Sequence, residues 1–184
     1  CEKLELTKVQ VFITSSPLTM SYAFGLEDKI SGSVKSELIY PPFEPQPSSD
    51  IRLNESIIKQ LQKKDLLLSY PYESMNPFLK LLKEAAYDNS VISIKISIYR
   101  LAKNAKIVDY LCAAAENDKD VTVLIELRAR FDEQNNIDWS QRLEQAGCRI
   151  IYGFEGYKVH SKVCLITRRE RGKIYYITQI GTGN

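Results

Sequence analysis

The sequence predicts an α/β fold: a mixed, largely parallel sheet flanked by helices. Three observations predict it. β-branched, apolar runs at residues 91–99, 121–127 and 148–152 alternate with stretches of helical spacing at residues 104–115 and 136–146. Strand, helix, strand, helix, strand at these lengths is the pattern of parallel strands joined by crossover helices, expected to be covered on both faces. Before this region, Tyr40-Pro41-Pro42-Phe43-Glu44-Pro45-Gln46-Pro47-Ser48-Ser49 places four prolines in ten residues. Proline fixes φ and lacks an amide donor, so this is an extended, stiff connector and a domain boundary. Residues 1–47 then form the tail of a preceding domain with its linker, and residues 48–184 the main domain.

Taken in order, residues 5–14 have strand-like content, and residues 31–40 are a weaker strand candidate after a Ser/Gly-containing connection. Residues 53–64 read as a short helix, and the apolar segment 66–72 ends at a proline. Asn76-Pro77 starts a helix, with an N-cap acceptor and proline at the first helical position. Phe78, Leu81, Leu82 and Ala85 repeat there at helical spacing. Residues 91–99 form a strand. Asn104 caps a helix that carries Ile107, Val108, Leu111 and Ala115 on one side. Residues 121–127 are the next strand, and 136–146 the next helix, closed by Gly147 as a left-handed C-cap. Residues 148–152 are a third strand. Residues 159–167 and 173–180 form a strand pair joined by a charged turn at 168–172.

Composition excludes several function classes. Hydrophobic residues make up 44% and charged ones 26%, enough for a core without disulfides or a structural metal. Twenty-five Lys and Arg against 23 Asp and Glu leave +2, which excludes a strongly basic, histone-like nucleic-acid binder but not a local basic site. The single histidine, His160, makes a zinc site built on paired histidines impossible. Cys1, Cys112, Cys148 and Cys164 form no CxxC pair and read as reduced, buried thiols of a cytosolic protein. No apolar run approaches the roughly 18 residues of a spanning helix. The chain starts at Cys1 and stops just after a strand-like segment, as expected of a piece of a longer protein.

In open, largely parallel sheets, ligands collect beyond the carboxyl ends of the strands. The first strand ends at Tyr99-Arg100. The second leads into Glu126-Leu127-Arg128-Ala129-Arg130-Phe131-Asp132-Glu133, and the third is followed by residues 153–162 with Lys158, His160 and Lys162. Guanidinium forks suit phosphate oxygens, and an imidazole beside a lysine suits attack on phosphorus. On a strand spanning 159–167, His160 and Lys162 share a face, with Val159, Ser161 and Val163 on the other. The ammonium then stabilises charge on a phosphoryl group that the imidazole attacks in line.

Taken singly, each feature has an ordinary alternative. A His-x-Lys pair arises by chance, and Arg100, Arg128 and Arg130 pair equally well with Glu126, Asp132 and Glu133 on a solvated rim. Tyr70, Tyr72, Tyr99 and Trp139 read as packing residues rather than a base-stacking platform. Gly153-x-x-Gly156 reads as a turn. Convergence at one rim favours the functional reading.

The stretches 68–75 (LSYPYESM), Ile94-Lys95-Ile96-Ser97-Ile98-Tyr99-Arg100, 126–133 with Asn136 and Trp139, Lys158-Val159-His160-Ser161-Lys162 and Ile180-Gly181-Thr182-Gly183-Asn184 resemble, in order, the bacterial polyphosphate kinases of the phospholipase-D-like, histidine-phosphorylating type. The resemblance covers about residues 40–184, with the first forty resembling the end of that family's head domain. It implies a phospholipase-D-like domain, the first of two catalytic domains. It also implies reversible transfer of the terminal phosphate of ATP to polyphosphate through a phosphohistidine. His160 matches the phosphorylated histidine and Lys162 the lysine of His-x-Lys. Arg100 and Arg130 match the arginines of the magnesium–phosphate site, with Asn184 as a further phosphate-binding position. Guanidinium has no lone pair to give a metal, so the two arginines would clamp phosphates that in turn hold Mg2+.

The partners so implied are ATP or ADP and inorganic polyphosphate, with no nucleic acid and no membrane span. A homo-oligomer in the full-length protein is expected, located in the cytoplasm or peripherally at the inner face of the membrane. The family's second catalytic domain and adenine-binding positions have no counterpart in this chain, so the piece alone is expected to be inactive. Two rival readings remain. Phospholipase-D-class phosphodiesterases or nucleases carry an aspartate where this chain has Thr167. A non-catalytic polyanion-binding module would need the arginines but not His160.

Overall fold

The computed structural model describes residues 3, 5–102, 105–128 and 133–182, without the side chains of Phe24 and Glu27. The chain divides into two compact units, Cys1–Phe43 and Glu44–Asn184. In the first, short 3-10 turns at Lys8–Gln10, Ser21–Gly25 and Glu27–Lys29 precede one helix, α1 (Gly32–Leu38). The strands expected over residues 5–14 and 31–40 do not form. A strand satisfies its amides on a neighbouring strand, and the described residues of this unit pair with none. Local bonds take their place. The Gln10 carboxamide accepts from the Thr7 amide at 2.8 Å, and helical bonds close Lys35 N–H onto Ser31 O at 2.8 Å and Ile39 N–H onto Lys35 O at 3.0 Å.

The second unit contains helices α2 (Ile57–Leu61), α3 (Asn76–Tyr87), α4 (Lys106–Glu116) and α5 (Glu133–Gln145). Its strands are β1 (Val91–Ile98), β2 (Asp120–Ile125), β3 (Arg149–Ile151), β4 (Lys162–Glu170) and β5 (Lys173–Gly181). They form one sheet in the order β3-β2-β1-β4-β5. β1, β2 and β3 are parallel, while β4 and β5 are antiparallel to their neighbours, which makes the sheet mixed.

Helix ends are set by specific bonds. The Glu84 carboxylate on α3 caps α2, accepting from Ser56 Oγ at 2.8 Å, Ile57 N–H at 3.0 Å and Ile58 N–H at 3.1 Å. α3 begins at Asn76 with Pro77 in its first turn, but the capping acceptor is Ser74, whose Oγ takes the Asn76 amide at 3.1 Å, not Asn76 itself. Asn104 lies outside the described residues. Gly147 ends α5 with φ +93°, while Gly147 and Cys148 donate back to Glu144 and Leu143 at 3.0 Å each.

The core lies between the helices and one sheet face. Ile94, Ile96 and Ile98 of β1 stand opposite Val121, Val123 and Ile125 of β2, and Ile94 and Ile96 opposite Ile166 and Cys164 of β4. All are buried, in one cluster with Leu81, Leu82 and Ala85 of α3 and Val108 and Leu111 of α4. Covering of both faces was expected, yet among the described residues α3, α4 and α5 pack as one layer. The order β3-β2-β1 gives the reason: both crossovers step the same way across the sheet, so the same handedness puts both helices on one side. The opposite face carries Lys95, exposed, between Ser93 and Ser97. The β4–β5 turn is tighter than the charged stretch 168–172. Arg171 and Gly172, at φ +50° and +77°, turn the chain alone. Arg168 instead sits buried in β4, donating to Ser90 Oγ at 3.0 Å and paired with Asp88 at 3.4 Å. Among the described residues no helix is long and apolar enough to cross a membrane.

Candidate active site

The carboxyl ends of the three parallel strands converge as expected. β1 delivers Tyr99 and Arg100, β2 delivers Glu126 and Arg128, and the segment after β3 delivers Lys158, Val159 and His160. Their focus is the Tyr99 ring. The His160 imidazole meets it edge-on, ring centroids 5.2 Å apart. Lys162 Nζ stands 5.0 Å from its centroid, Arg100 Cζ 5.5 Å and Lys158 Nζ 5.8 Å. Cations gather favourably on an aromatic face at these distances. The ammonium groups of Lys158 and Lys162 donate to neutral carbonyls, of Arg128 at 3.0 Å and of His160 at 2.7 Å. His160, Lys158 and Arg100 are exposed and Lys162 is half-buried, so the cluster is open to a solute.

His160 does not lie on β4, which starts at Lys162. The expected strand over 159–167 is shortened because side chains take the place of ladder bonds. Ser97 Oγ donates to Ser161 O at 2.6 Å and accepts from Val163 N–H at 3.1 Å. The Val159 amide is taken by Glu126 Oε2 at 3.0 Å. His160 and Lys162 therefore meet through a common ring rather than through strand alternation. Val159 is buried, whereas Ser161, expected on the same face, is exposed. Gly153 and Gly156 take φ +60° and +77° around the small Phe154–Tyr157 turn, as expected.

Two residues tie the strand ends together. The carboxylate of Glu126, only 7% exposed, accepts from Arg128 N–H at 2.8 Å as well as from Val159 N–H. Burial works to raise its pKa, but the amides of Val159 and Arg128 and the charges of Lys158 and Arg128 outweigh it and hold the group below the usual carboxylate range. The other tie is Asn136 on α5, fully buried. Its Nδ2 donates to Tyr99 O at 2.9 Å and to Glu126 O at 2.8 Å.

Of the rim alternative for the arginines, the described residues show Glu126 taking the Arg128 backbone amide, with the Arg128 charge also acting on that carboxylate. Tyr99 forms the centre of the site rather than packing, and Tyr72 is exposed. Arg130 and Asn184 lie outside the described residues. For magnesium, the described residues gather no cluster of three or more His, Cys, Asp or Glu side chains. Beside His160, the groups that gather are Lys and Arg cations without lone pairs, which suit phosphate oxygens rather than direct metal ligation. An apolar groove of about 150 Å3 between α2, α3 and β5, lined by Ile57, Leu61, Leu66, Phe78, Leu81 and Ile177, has no charged lining residue and is separate from this chemistry.

The family model described as "Polyphosphate kinase C-terminal domain 1" matches residues 56–184. The chain belongs to the polyphosphate kinase family. The polyphosphate kinase of Bacillus cereus is 42% identical over 183 residues, covering 100% of this chain and 26% of that protein. That of Pseudomonas aeruginosa is 42% identical over 182 residues, covering 97% of this chain and 26% of the relative. The crystal structure of polyphosphate kinase from Porphyromonas gingivalis superposes with a TM-score of 0.62 at 36% identity, over 74% of this chain and 24% of that one. The chain thus spans about a quarter of the length of the relatives it matches. Within this polyphosphate kinase domain, the structure brings the sequence-predicted His160, Lys162 and Arg100 together around Tyr99, which reads from sequence as a packing residue. The sequence reading has no role for Glu126 as the tie between Val159 and Arg128. The available signal was position: each directly follows a buried apolar strand.

Proposed function

We propose that this domain accepts the terminal phosphate of ATP on His160 and passes it reversibly to the end of a polyphosphate chain. The observation that supports it best is the gathering of His160, Lys158, Lys162 and Arg100 on Tyr99, with the two ammonium groups held by neutral carbonyls. Such ammonium groups keep their charge for an anion, and phosphate oxygens are the anion they suit. A nitrogen of the neutral imidazole attacks the γ-phosphorus. The P–N bond forms as the bond from phosphorus to the β,γ-bridging oxygen breaks, and ADP leaves with that electron pair. Lys162, Lys158 and Arg100 offset charge on the transferring group. In the second half the terminal oxygen of polyphosphate attacks the same phosphorus and the P–N bond breaks, so the chain grows by one unit. Arg130 and Asn184 join the phosphate-binding set in this reading, and magnesium accompanies the nucleotide's phosphates.

The reading further holds that the 184-residue chain alone is inactive and that the full-length polypeptide completes the site. The full-length polypeptide incubated with γ-labelled ATP and magnesium should acquire an acid-labile, base-stable label at His160. His160→Ala should lose both label and polyphosphate synthesis. Synthesis that persists in His160→Ala would overturn the proposal, and labelling of the isolated chain would overturn its dependence on the rest of the polypeptide.

A further inference from the structure

The loop bearing His160 is not held by strand pairing. Residues 158–161 precede β4, and His160 and Ser161 are exposed. A nucleophile on such a loop needs something else to fix it, because a displacement of about 1 Å at a reacting group costs on the order of a hundredfold in rate. The structure supplies one buried side chain for this. Glu126 reaches across 33 residues of sequence to take the Val159 amide at 3.0 Å, one residue before His160, while its other oxygen takes the Arg128 amide at 2.8 Å. The hold is returned in the opposite direction, since Lys158 Nζ donates to Arg128 O at 3.0 Å. Asn136 then binds the backbone carbonyls of Glu126 and Tyr99 from α5. The ring that meets His160 and the loop that carries it therefore share one anchor.

We propose that Glu126 is the positioning residue of this site: its buried carboxylate, clasping the Val159 and Arg128 amides, fixes the loop that presents Lys158 and His160 to the phosphoryl group beside Lys162 at the start of β4. The proposal rests on the reading of His160 as the phosphoryl acceptor. A carboxylate beside a phosphate site would ordinarily repel the substrate. Here its lone pairs are turned on to two backbone amides and its charge lies under Lys158 and Arg128. It orders the loop while the Lys158 and Arg128 charges offset its own. A neutral amide cannot replace it, because one end of a glutamine would set an N–H against a backbone N–H. Aspartate, one methylene shorter, keeps the charge but cannot span both amides.

The test uses the full-length polypeptide with Glu126→Gln and Glu126→Asp. Both variants should form phosphohistidine about 10- to 100-fold more slowly in single-turnover quench experiments, with the dissociation constant for magnesium-ATP within about twofold of the parent. A general structural loss would instead move binding, rate and melting together. Folded variants that label His160 at the parental rate would overturn the positioning role. Absence of label at His160 in the parent would overturn the acceptor reading instead, which keeps the two failures apart. Hydrogen exchange on the parent decides the matter if neither variant folds. The Val159 and Arg128 amides should exchange at least about tenfold more slowly than those of His160 and Ser161, and equal exchange would sink the clasp.

Discussion

Asn136 gives the sharpest test of how the strand ends are held. It is fully buried, its Nδ2 serves the carbonyls of Tyr99 and Glu126, and its own Oδ1 has no partner among the described residues. Asn136→Ala strands two carbonyls at about 1–3 kcal/mol each, or about 4 kcal/mol together at mid-range. Removing the unpartnered Oδ1 offsets about 1–2 kcal/mol of that. The net loss is about 2–3 kcal/mol, roughly 30- to 150-fold in the folding equilibrium constant at about 1.36 kcal/mol per tenfold. Urea unfolding of the chain at neutral pH, followed by the fluorescence of its single tryptophan, Trp139 on the same helix, measures it. Asn136→Asp adds a signed test. Its carboxyl would be buried against two carbonyl oxygens, which raises its folded pKa, and the proton restores one donor. Its stability relative to the parent should therefore be greatest below the unfolded aspartate pKa of about 3.9 and fall as pH rises through the raised folded value. An Asn136→Ala variant that unfolds at the parental urea midpoint with the parental slope would refute the accounting.

Two further outcomes follow from protonation. Because Glu126 is held below the usual carboxylate range, its contribution is present above the unfolded glutamate pKa of about 4.3 and lost as pH falls through the lower folded value; the stability gap between the parent and Glu126→Gln should narrow on acidification below about pH 4.5, and a gap that widens there contradicts the clasp. Burial pushes the Cys148 and Cys164 thiols up to about 12, so about one in ten thousand is thiolate at pH 8. Both should react with a thiol reagent only as fast as the domain opens, and prompt labelling in the native state would place them at the surface instead.

The sheet was legible because its signal is local. β-Branched runs alternating with helical spacing gave β1, α4, β2, α5 and β3, and Gly147 marked the end of α5. What failed depended on distant partners. Residues 31–40 have strand-like content, but strand identity requires a second strand, and without one the segment closes its own bonds as α1. Arg168 looked like part of a charged turn because its partners, Ser90 and Asp88, lie 78 and 80 residues away. The same limit explains the site. His160, Lys162 and Arg100 are readable as phosphate chemistry at strand ends, whereas Glu126 and Asn136 act through side-chain bonds to backbone 33, 10 and 37 residues distant, which no short spacing encodes.

The way the site is assembled also explains how a chain with a formal charge of only +2 makes a strongly cationic spot. Pairing each lysine with a carboxylate would have ordered the cluster but cancelled it. Here much of the order comes from neutral groups: the Tyr99 ring beside the cations, backbone carbonyls on the ammonium groups, Asn136 between strand ends, and Ser97 of β1 holding the start of β4. Among the described residues the carboxylate in the arrangement is that of Glu126, which is buried and clasps backbone amides, so it shapes the loop from below the surface. Anion affinity follows the charge of the cations, whereas in-line transfer also needs His160 held in position, and different residues meet these two requirements. Removing a cation should therefore weaken phosphate binding, whereas loosening Glu126 should leave binding and slow transfer. That separation is what the kinetic split between dissociation constant and single-turnover rate measures.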